Sequence, residues 1–581
     1  MNKKIILSLV AYTMGYGDSA AALEVNGKIY GPIEEERFTR KRYESGLPIN
    51  SINYLLELTK TKPSDVDLIL FHLKPNEKIL PRLKFIMSNF INALNDSSYP
   101  ETFLKFSLIK RTLRKKLSID APIKYIPHHM CHAYYSFFTS GFKSSLVITL
   151  DGAGDGKTGN VCSFSKDGDI RELDTFLYPN SLGVFYSAIS DYIGFPLPSG
   201  PGKVMGLSAY GDSQKFYSIL EKMISVVDGK PKVNLKYFEF HKNLVTPNSS
   251  AKKKWLSKYF EKQIALPRRQ KNQELTQPYI DLAGGLQKLT TKIGSEIVEY
   301  WIRKTGEENI CLSGGVALNA VMNEQIVRNL KGSFYVPPGC GDCGNTAGAI
   351  LFNSILEKSM PKLATNQQYT GPKYDTSFVK NEISRFKGIL FDEYDLKNLE
   401  SRKNYLHRVA TSISEGNVIG WFHGQMEFGP RALGNRSILA DPTNKMIKDI
   451  INSKVKHREW FRPFAPTVLD KDFNKFFETS YKDPYMLTTP LVREEWREIL
   501  PAITHVDGTA RVQNLKWSEN NIYYELIEIF KSLKGYGILL NTSFNDNEPI
   551  VCSPYDAINC FLKTNIDLLA IEGIICRKQS K

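Results

Sequence analysis

Two distant stretches of this chain run through the same order of elements, and that echo limits its fold more than any other feature. Residues 5–30 read IILSLVAYTMGYGDSAAALEVNGKIY: an apolar run, a Gly-Asp loop, a second run, an Asn-Gly turn and a third run. Residues 146–170 read LVITLDGAGDGKTGNVCSFSKDGDI, with the same order and an Asp-Gly turn. Asn-Gly and Asp-Gly between apolar runs signal hairpins, because both pairs accept the left-handed backbone of a tight turn. The loops align locally, Gly15-Tyr16-Gly17-Asp18 against Gly152-Ala153-Gly154-Asp155. The echo marks either a duplicated strand–loop–hairpin unit or two unrelated hairpins.

Helix and strand patterns alternate through the rest of the first half. Apolar residues at Leu282, Leu286, Leu289, Ile293, Ile297 and Trp301 form a helical stripe. NICLSGGVALNAVMN then reads as strand, Gly-rich turn and helix, where the amides of Gly314 and Gly315 can face an anion. A second Gly-rich loop, GCGDCGNTAGAI, carries Asp342 at its centre. At 581 residues the chain exceeds a single core. Residues 361–376, rich in Pro, Gly and polar residues without periodicity, read as a linker between 1–360 and 377–581.

The formal net charge of +15 suits nucleic acid, an anionic membrane or phosphorylated small molecules. Its densest run, Lys252–Arg269 within a basic insertion near 235–275, reads as a solvated insertion. Eight scattered cysteines form no framework, which points to reduced thiols and a cytoplasmic protein, with Cys340 and Cys343 as small loop residues. The start, MNKKIILSLVAYTMGYG, mimics a signal peptide but reads better as a first β-strand. No apolar run approaches membrane-spanning length.

Three of the nine histidines fall in PHHMCHAYY. His128 and His132 share a helix face at i, i+4, with Pro127 at the first helical position and Gly141 at the end. Such a pair occurs in zinc and iron proteins and also by chance. In the second half, Arg431, Arg436, Lys456, Arg458, Arg462 and Arg511 stand among glycines, prolines and aromatics instead of other charges. A partly buried guanidinium needs a partner, and its planar fork matches phosphate or carboxylate oxygens. An anion pocket is the leading reading and intraprotein ion pairing the alternative.

These residues together resemble the NodU/CmcH/TobZ O-carbamoyltransferases over nearly the whole chain. The resemblance rests on GDSAAAL, EEERFTRKR, HHMCHAYYSFFTSGF, LDGAGDG, GKVMGLSAYG, LSGGVALN, GCGDCGNTAGA, GPRALGNRSILADP, KHREWFRPFAP, VDGTARV and NTSFNDNEPIV, in that order. It implies α/β and α+β architecture: residues 1–360 as a duplicated actin-like ATPase (ASKHA) fold, whose paired hairpins clasp nucleotide phosphates, and residues 377–581 as a YrdC-like α/β domain. It further implies that the C-terminal domain joins carbamoyl phosphate to ATP, leaving carbamoyladenylate with loss of phosphate and pyrophosphate. The N-terminal domain would then pass the carbamoyl group to a hydroxyl of a small acceptor in natural-product or sugar chemistry, releasing AMP.

By the same resemblance Arg431, Lys456, Arg462 and Arg511 hold the anions, with Asn541 and Ser543 as hydrogen-bonding partners. Gly206, Gly314, Gly315, Asn319 and Arg436 contact the nucleotide. His128, His132, Asp151 and Asp342 bind a divalent metal, iron first with manganese or zinc as alternatives, while Mg2+ accompanies ATP. Where the family has His-Asp-Ser this chain has Gly17-Asp18-Ser19. The usual candidate for a general base is therefore missing, and Asp18 and His129 are the substitutes. A homodimer and the identity of the acceptor stay open. The competing readings are a tRNA-modifying carbamoyl-type transferase, suggested by the charge, and a nucleotide-binding regulator that has lost transfer, suggested by Gly17.

Overall fold

The computed structural model describes residues 4–11, 18–74, 98–241, 255–456 and 458–579. Gly17, the Gly15–Gly17 loop and residues 242–254 of the basic insertion lie outside them. By Cα proximity the chain divides into residues 1–39 with 43–364, and residues 40–42 with 365–581. Within 361–376, Lys362 and Leu363 pair as a short strand in the first unit, and the backbones of Gln368 and Gly371 bond those of Phe428 and Met426 in the second.

The first unit contains two sheets of matching topology. β1 (Ile6–Val10), β2 (Ala20–Val25) and β3 (Lys28–Glu34) run antiparallel, and β4 (Leu68–Phe71) and β5 (Ile123–Tyr125) extend the sheet in parallel from β1. After helix α1 (His128–Ser140), strands β6 (Ser144–Gly154), β7 (Lys157–Ser165) and β8 (Ile170–Leu177) repeat the antiparallel set. Helices α2 (Gly200–Leu207) and α3 (Gln277–Thr305) intervene before β9 (Ile310–Ser313), which runs parallel to β6. Helix α4 (Ala320–Asn329) leads to β10 (Phe334–Tyr335), parallel to β9. Helix α5 (Asn345–Leu356) then precedes β11 (Lys362–Leu363). The sheet orders are therefore β11-β3-β2-β1-β4-β5 and β10-β9-β6-β7-β8. Of the two readings of the echo, the duplicated unit is the one folded.

The turn chemistry explains the hairpins: Asn26-Gly27 has positive φ at both residues, as does Asp155-Gly156 in the loop between β6 and β7, whereas in the Asp167-Gly168 turn only Gly168 does. β1 is buried on both faces, so Leu7 and Leu9 each contribute about 1.5–3 kcal/mol of apolar burial. The expected stripe of α3 is buried from Leu282 to Trp301. Helix α1 begins one residue later than Pro127 suggests, with Pro127 at the N-cap and Gly141 in the left-handed C-cap. The basic run is only partly solvated. Lys258 and Lys262 are exposed, but Arg268 pairs with Asp191 at 2.8 Å, and Arg269 is buried with its guanidinium on the carbonyls of Ile193 and Gln273. All eight cysteines are free thiols. Among the described residues no helix is long and apolar enough to cross a membrane.

The second unit is built on one mixed sheet. Its elements in chain order are β12 (Ile389–Glu393), α6 (Leu399–Ser414), β13 (Ile419–Phe422), β14 (Arg436–Ala440), β15 (Ala465–Leu469), β16 (Gln513–Leu515), α7 (Asn521–Lys534), β17 (Ile538–Ser543), α8 (Pro554–Lys563), β18 (Leu568–Ile571) and β19 (Ile574–Lys578). The sheet order is β12-β19-β18-β13-β14-β17-β15-β16. Trp421, Ile438, Leu540, Phe530 and Phe561 belong to one buried core in this unit. The chain is thus a mixed α/β protein in both units.

Candidate metal centre and anion pocket

In the first unit, α1, strand β6 and the turn before α5 bring four ligand atoms together. His128 Nε2 lies 3.2 Å from Asp151 Oδ2, 3.4 Å from Asp342 Oδ1 and 3.3 Å from His132 Nε2. His132 Nε2 lies 3.2 Å from Asp342 Oδ1 and 3.9 Å from Asp151 Oδ2. Metal–nitrogen and metal–oxygen bonds of about 2.0–2.1 Å place ligand atoms about 3.3 Å apart around a tetrahedral ion. The residues present therefore fit a divalent metal, and two imidazoles with two carboxylates suit iron, manganese or zinc.

The surroundings hold these ligands in place. Asp151 ends the central part of β6, and its Oδ1 accepts the amide of Gly315 at 3.1 Å. Asp342 opens the turn before α5. The Asp155 carboxylate accepts the backbone amide of His128 at 2.8 Å and that of Lys74 at 2.8 Å, fixing the start of α1. Gly154 lies flat against the His128 ring, where a Cβ would meet Cδ2 at 2.3 Å. Asn345 approaches His132 Nε2 at 3.2 Å.

Electrostatics follow from this packing. Burial opposes a charge on His128, but the carboxylates of Asp342 and Asp151 outweigh it and hold its pKa well above the ordinary histidine value. Burial likewise opposes ionised Asp151 and Asp342, yet hydrogen bonding and charge from the histidines bring Asp151 down to about 2 and Asp342 well below the carboxylate range. Asp18 behaves oppositely. Burial, then the charge of Asp342, lifts it well above the carboxylate range, and its Oδ1 accepts from Cys343 Sγ at 3.7 Å.

His129 is buried with no hydrogen-bond partner on either ring nitrogen among the described residues, and burial pushes its pKa well down. Asn319 caps α4 through the Met322 amide and exchanges amide hydrogen bonds with Gln287. Gly314, at φ +88°, sits where a Cβ would strike the Leu150 carbonyl, and Gly206 lies within α2. The Gly-rich turn of Gly314 and Gly315 thus orients Asp151 directly.

In the second unit, cations gather. Burial, then the charges of Arg431, Arg462 and Arg458, push the Arg511 guanidinium well below its ordinary value, with Asp483 the acid opposing the shift. Burial, then Arg458 and Arg462, depress Lys456 strongly. Lys456 Nζ is held by the backbone and side chain of Ser543 and by Asn545 Oδ1, all neutral groups. Arg458 stacks 4.3 Å above Phe464, donates to Asn452 at 2.7 Å, and is lowered to about 9 by burial and Arg462. Glu459 approaches Arg462 at 3.8 Å. Asp483 is the acid beside Arg511: burial raises it to about 6, and its carboxylate accepts from Tyr485, Leu487 and Thr488. Asn541 Nδ2 donates to Thr467 at 2.9 Å, leaving its buried Oδ1 unsatisfied.

The loop bearing Arg431 is clipped in place by Glu427, which accepts the amides of Leu433, Asn435 and Arg436 at 2.7–2.9 Å. Arg436 itself is fully buried. Its terminal nitrogens donate to the carbonyls of His423, Asn435, Pro372 and Gly424, and its guanidinium stacks 3.5 Å over Phe422. With its terminal nitrogens on backbone carbonyls, Arg436 serves the framework of this loop, and its buried Nε has no hydrogen-bond partner among the described residues. Arg431, Lys456, Arg458, Arg462, Arg511 and Ser543 do share one neighbourhood.

Glu427 was not singled out from sequence, and Asp155 only as part of a loop. An acid immediately before a hairpin glycine, or two residues before a GPR turn, signals turn chemistry without revealing which distant amide it accepts.

Residues 7–351 match the family described as carbamoyltransferase N-terminus, and residues 410–578 the one described as carbamoyltransferase C-terminus. An uncharacterized protein of Synechocystis sp. is 35% identical over 99% of this chain and 97% of its own length. Nodulation protein NolNO of Sinorhizobium fredii is 34% identical over 97% of this chain and 79% of its own. A 3'-hydroxymethylcephem-O-carbamoyltransferase of Streptomyces clavuligerus is 33% identical over 45% of this chain and 47% of its own.

Proposed function

The chain belongs to the carbamoyltransferase family, and we propose that it is an ATP-dependent O-carbamoyltransferase working in two steps. The observation that carries this reading is the gathering of Arg431, Lys456, Arg458, Arg462 and Arg511, whose charges weigh on Lys456, Arg458 and Arg511. Like charges at close range destabilise one another, and burial adds to the cost. A polyanion reverses both penalties, and carbamoyl phosphate with Mg2+-bound ATP supplies two. In the first step water cleaves carbamoyl phosphate to carbamate and phosphate. A carbamate oxygen then attacks the α-phosphorus of ATP, and pyrophosphate leaves with the bonding electrons, giving carbamoyladenylate. The fixed cations bring the two anions together and stabilise the charge on the departing pyrophosphate.

In the second step a hydroxyl of a small acceptor attacks the carbamoyl carbon, AMP leaves, and the hydroxyl proton is lost to water. This belongs to the first unit, read as an actin-like ATPase fold on the support of its duplicated topology. His128, His132, Asp151 and Asp342 would hold the metal, which when bound supplies a Lewis acid for a phosphate oxygen. Gly315 keeps the Asp151 carboxylate turned towards the histidines, and Asp18 lies beside Asp342.

Pyrophosphate release that needs both ATP and carbamoyl phosphate tests the first step. Arg511→Ala should lower it by about 10²–10³. Release at the wild-type rate in that variant refutes the anion pocket.

A further inference from the structure

His72 stands immediately after β4 and is fully buried, with its Nδ1 3.2 Å from Nδ1 of His128. Two ring nitrogens at that distance make a hydrogen bond only if one carries a proton and the other a lone pair. The opposite edge of His128 decides which. Its Nε2 faces Asp151, His132 and Asp342 at 3.2–3.4 Å, so as a metal ligand it must present a lone pair there. The proton of a neutral His128 then sits on Nδ1. A doubly protonated His128 also carries a proton on Nδ1, so His72 Nδ1 is the acceptor in either state. His72 in turn keeps its own proton on Nε2, a buried atom with no hydrogen-bond partner among the described residues. The two rings are tilted by 51° with centroids 5.3 Å apart, an approach of ring edges and not a stack.

We propose that His72 is a positioning residue for the metal centre: by accepting from Nδ1 of His128 it fixes that ligand's tautomer and ring plane. The proposal rests on the metal reading of the quartet and extends it to a residue in the other sheet of the duplicated unit. The duplication explains how His72 arrives there. β4 runs parallel to β1 as β9 runs parallel to β6, and the carboxyl end of such a strand is where this topology delivers side chains to a site. Metal-bound histidines need a partner on the second nitrogen, and loss of that partner typically weakens metal binding by about 10–100-fold.

The test uses the full-length chain stripped of metal and titrated with Co2+ against a chromophoric chelator, with the visible spectrum of bound cobalt as a second readout. His72→Leu removes the acceptor at similar volume and should weaken Co2+ binding by about 10–100-fold. His72→Asn places Oδ1 near the position of Nδ1 and should restore most of the affinity and the wild-type spectrum. A folded His72→Leu chain that binds Co2+ like the wild type overturns the proposal. So does a folded His72→Asn chain as weak as His72→Leu or more than about tenfold weaker than wild type, an outcome that decides the matter even if His72→Leu does not fold. Uptake of no cobalt by the wild-type chain overturns the metal reading and this proposal with it, whereas wild-type uptake with unaffected His72 variants overturns the proposal alone.

Discussion

Replacing Gly154 by alanine adds one methyl group at the most crowded point of the metal centre. The new Cβ would lie 2.3 Å from Cδ2, 2.5 Å from Cγ and 2.9 Å from Nε2 of His128. Carbon atoms settle at about 3.5–4.0 Å, so more than about 1 Å of separation must be found. The His128 ring cannot absorb this in place: its backbone amide is tied to Asp155 at 2.8 Å, and His132 and His72 pack 4.9 and 5.3 Å away, centroid to centroid. A displacement of about 1 Å at Nε2 is several times the roughly 0.2 Å a metal–ligand bond tolerates. Metal affinity should therefore fall by at least about a hundredfold, the upper range for a misdirected ligand. The fold should lose less, since overpacking costs about 1–3 kcal/mol and the alanine backbone returns about 0.4–1 kcal/mol through the unfolded state. Cobalt titration of the stripped protein measures the first quantity and its thermal midpoint the second. Gly202→Ala is the control, since a Cβ there meets nothing within 4 Å. Wild-type affinity in Gly154→Ala, with the variant folded, refutes the claim that this glycine fixes the ligand geometry.

Other outcomes follow from the same contacts. His132→Ala should lose bound metal and carbamoyl transfer while leaving pyrophosphate release intact, as checked by metal analysis and a phosphate-release assay; full metal content would remove His132 from the ligand set. Arg436→Lys should lower the stability of the second unit by about 3–5 kcal/mol, because an ammonium cannot serve four carbonyls. A variant with an unchanged unfolding midpoint but no pyrophosphate release would instead make Arg436 an anion contact. Burial raises Glu572 from 4.5 to about 7. An acid raised on folding binds more protons in the native than in the unfolded state between those values, so it removes stability as pH rises through them. Glu572→Gln should accordingly gain on the wild type in urea midpoint between about pH 4.5 and about pH 7.5, and a difference independent of pH would contradict the shift.

The parts of this molecule that can be read from the chain are those whose cause is local. Asn-Gly and Asp-Gly turns name their hairpins because two residues set the backbone conformation, and the α3 stripe names its buried face because helix period alone sets it. The pair His128 and His132 is likewise a matter of spacing on one helix. Arg436 shows where local reasoning stops. GPRALGNRSI presents two arginines in nearly the same company, and nothing in those ten residues says which fork meets four carbonyls. The answer depends on Pro372, more than sixty residues earlier, and on the turn at His423 and Gly424. His72 is less legible still. A histidine after an apolar run is an ordinary strand end, and its meaning arises only when the parallel addition of β4 to β1 carries it to His128, 56 positions further along the chain. Duplication is the device that makes such meetings reproducible: the same strand order, folded twice, delivers Asp151 from one sheet and His72 from the other to the two edges of a single imidazole. If that is its role, a substitution weakening the β1–β4 pairing without touching any ligand should weaken metal binding in parallel with His72→Leu.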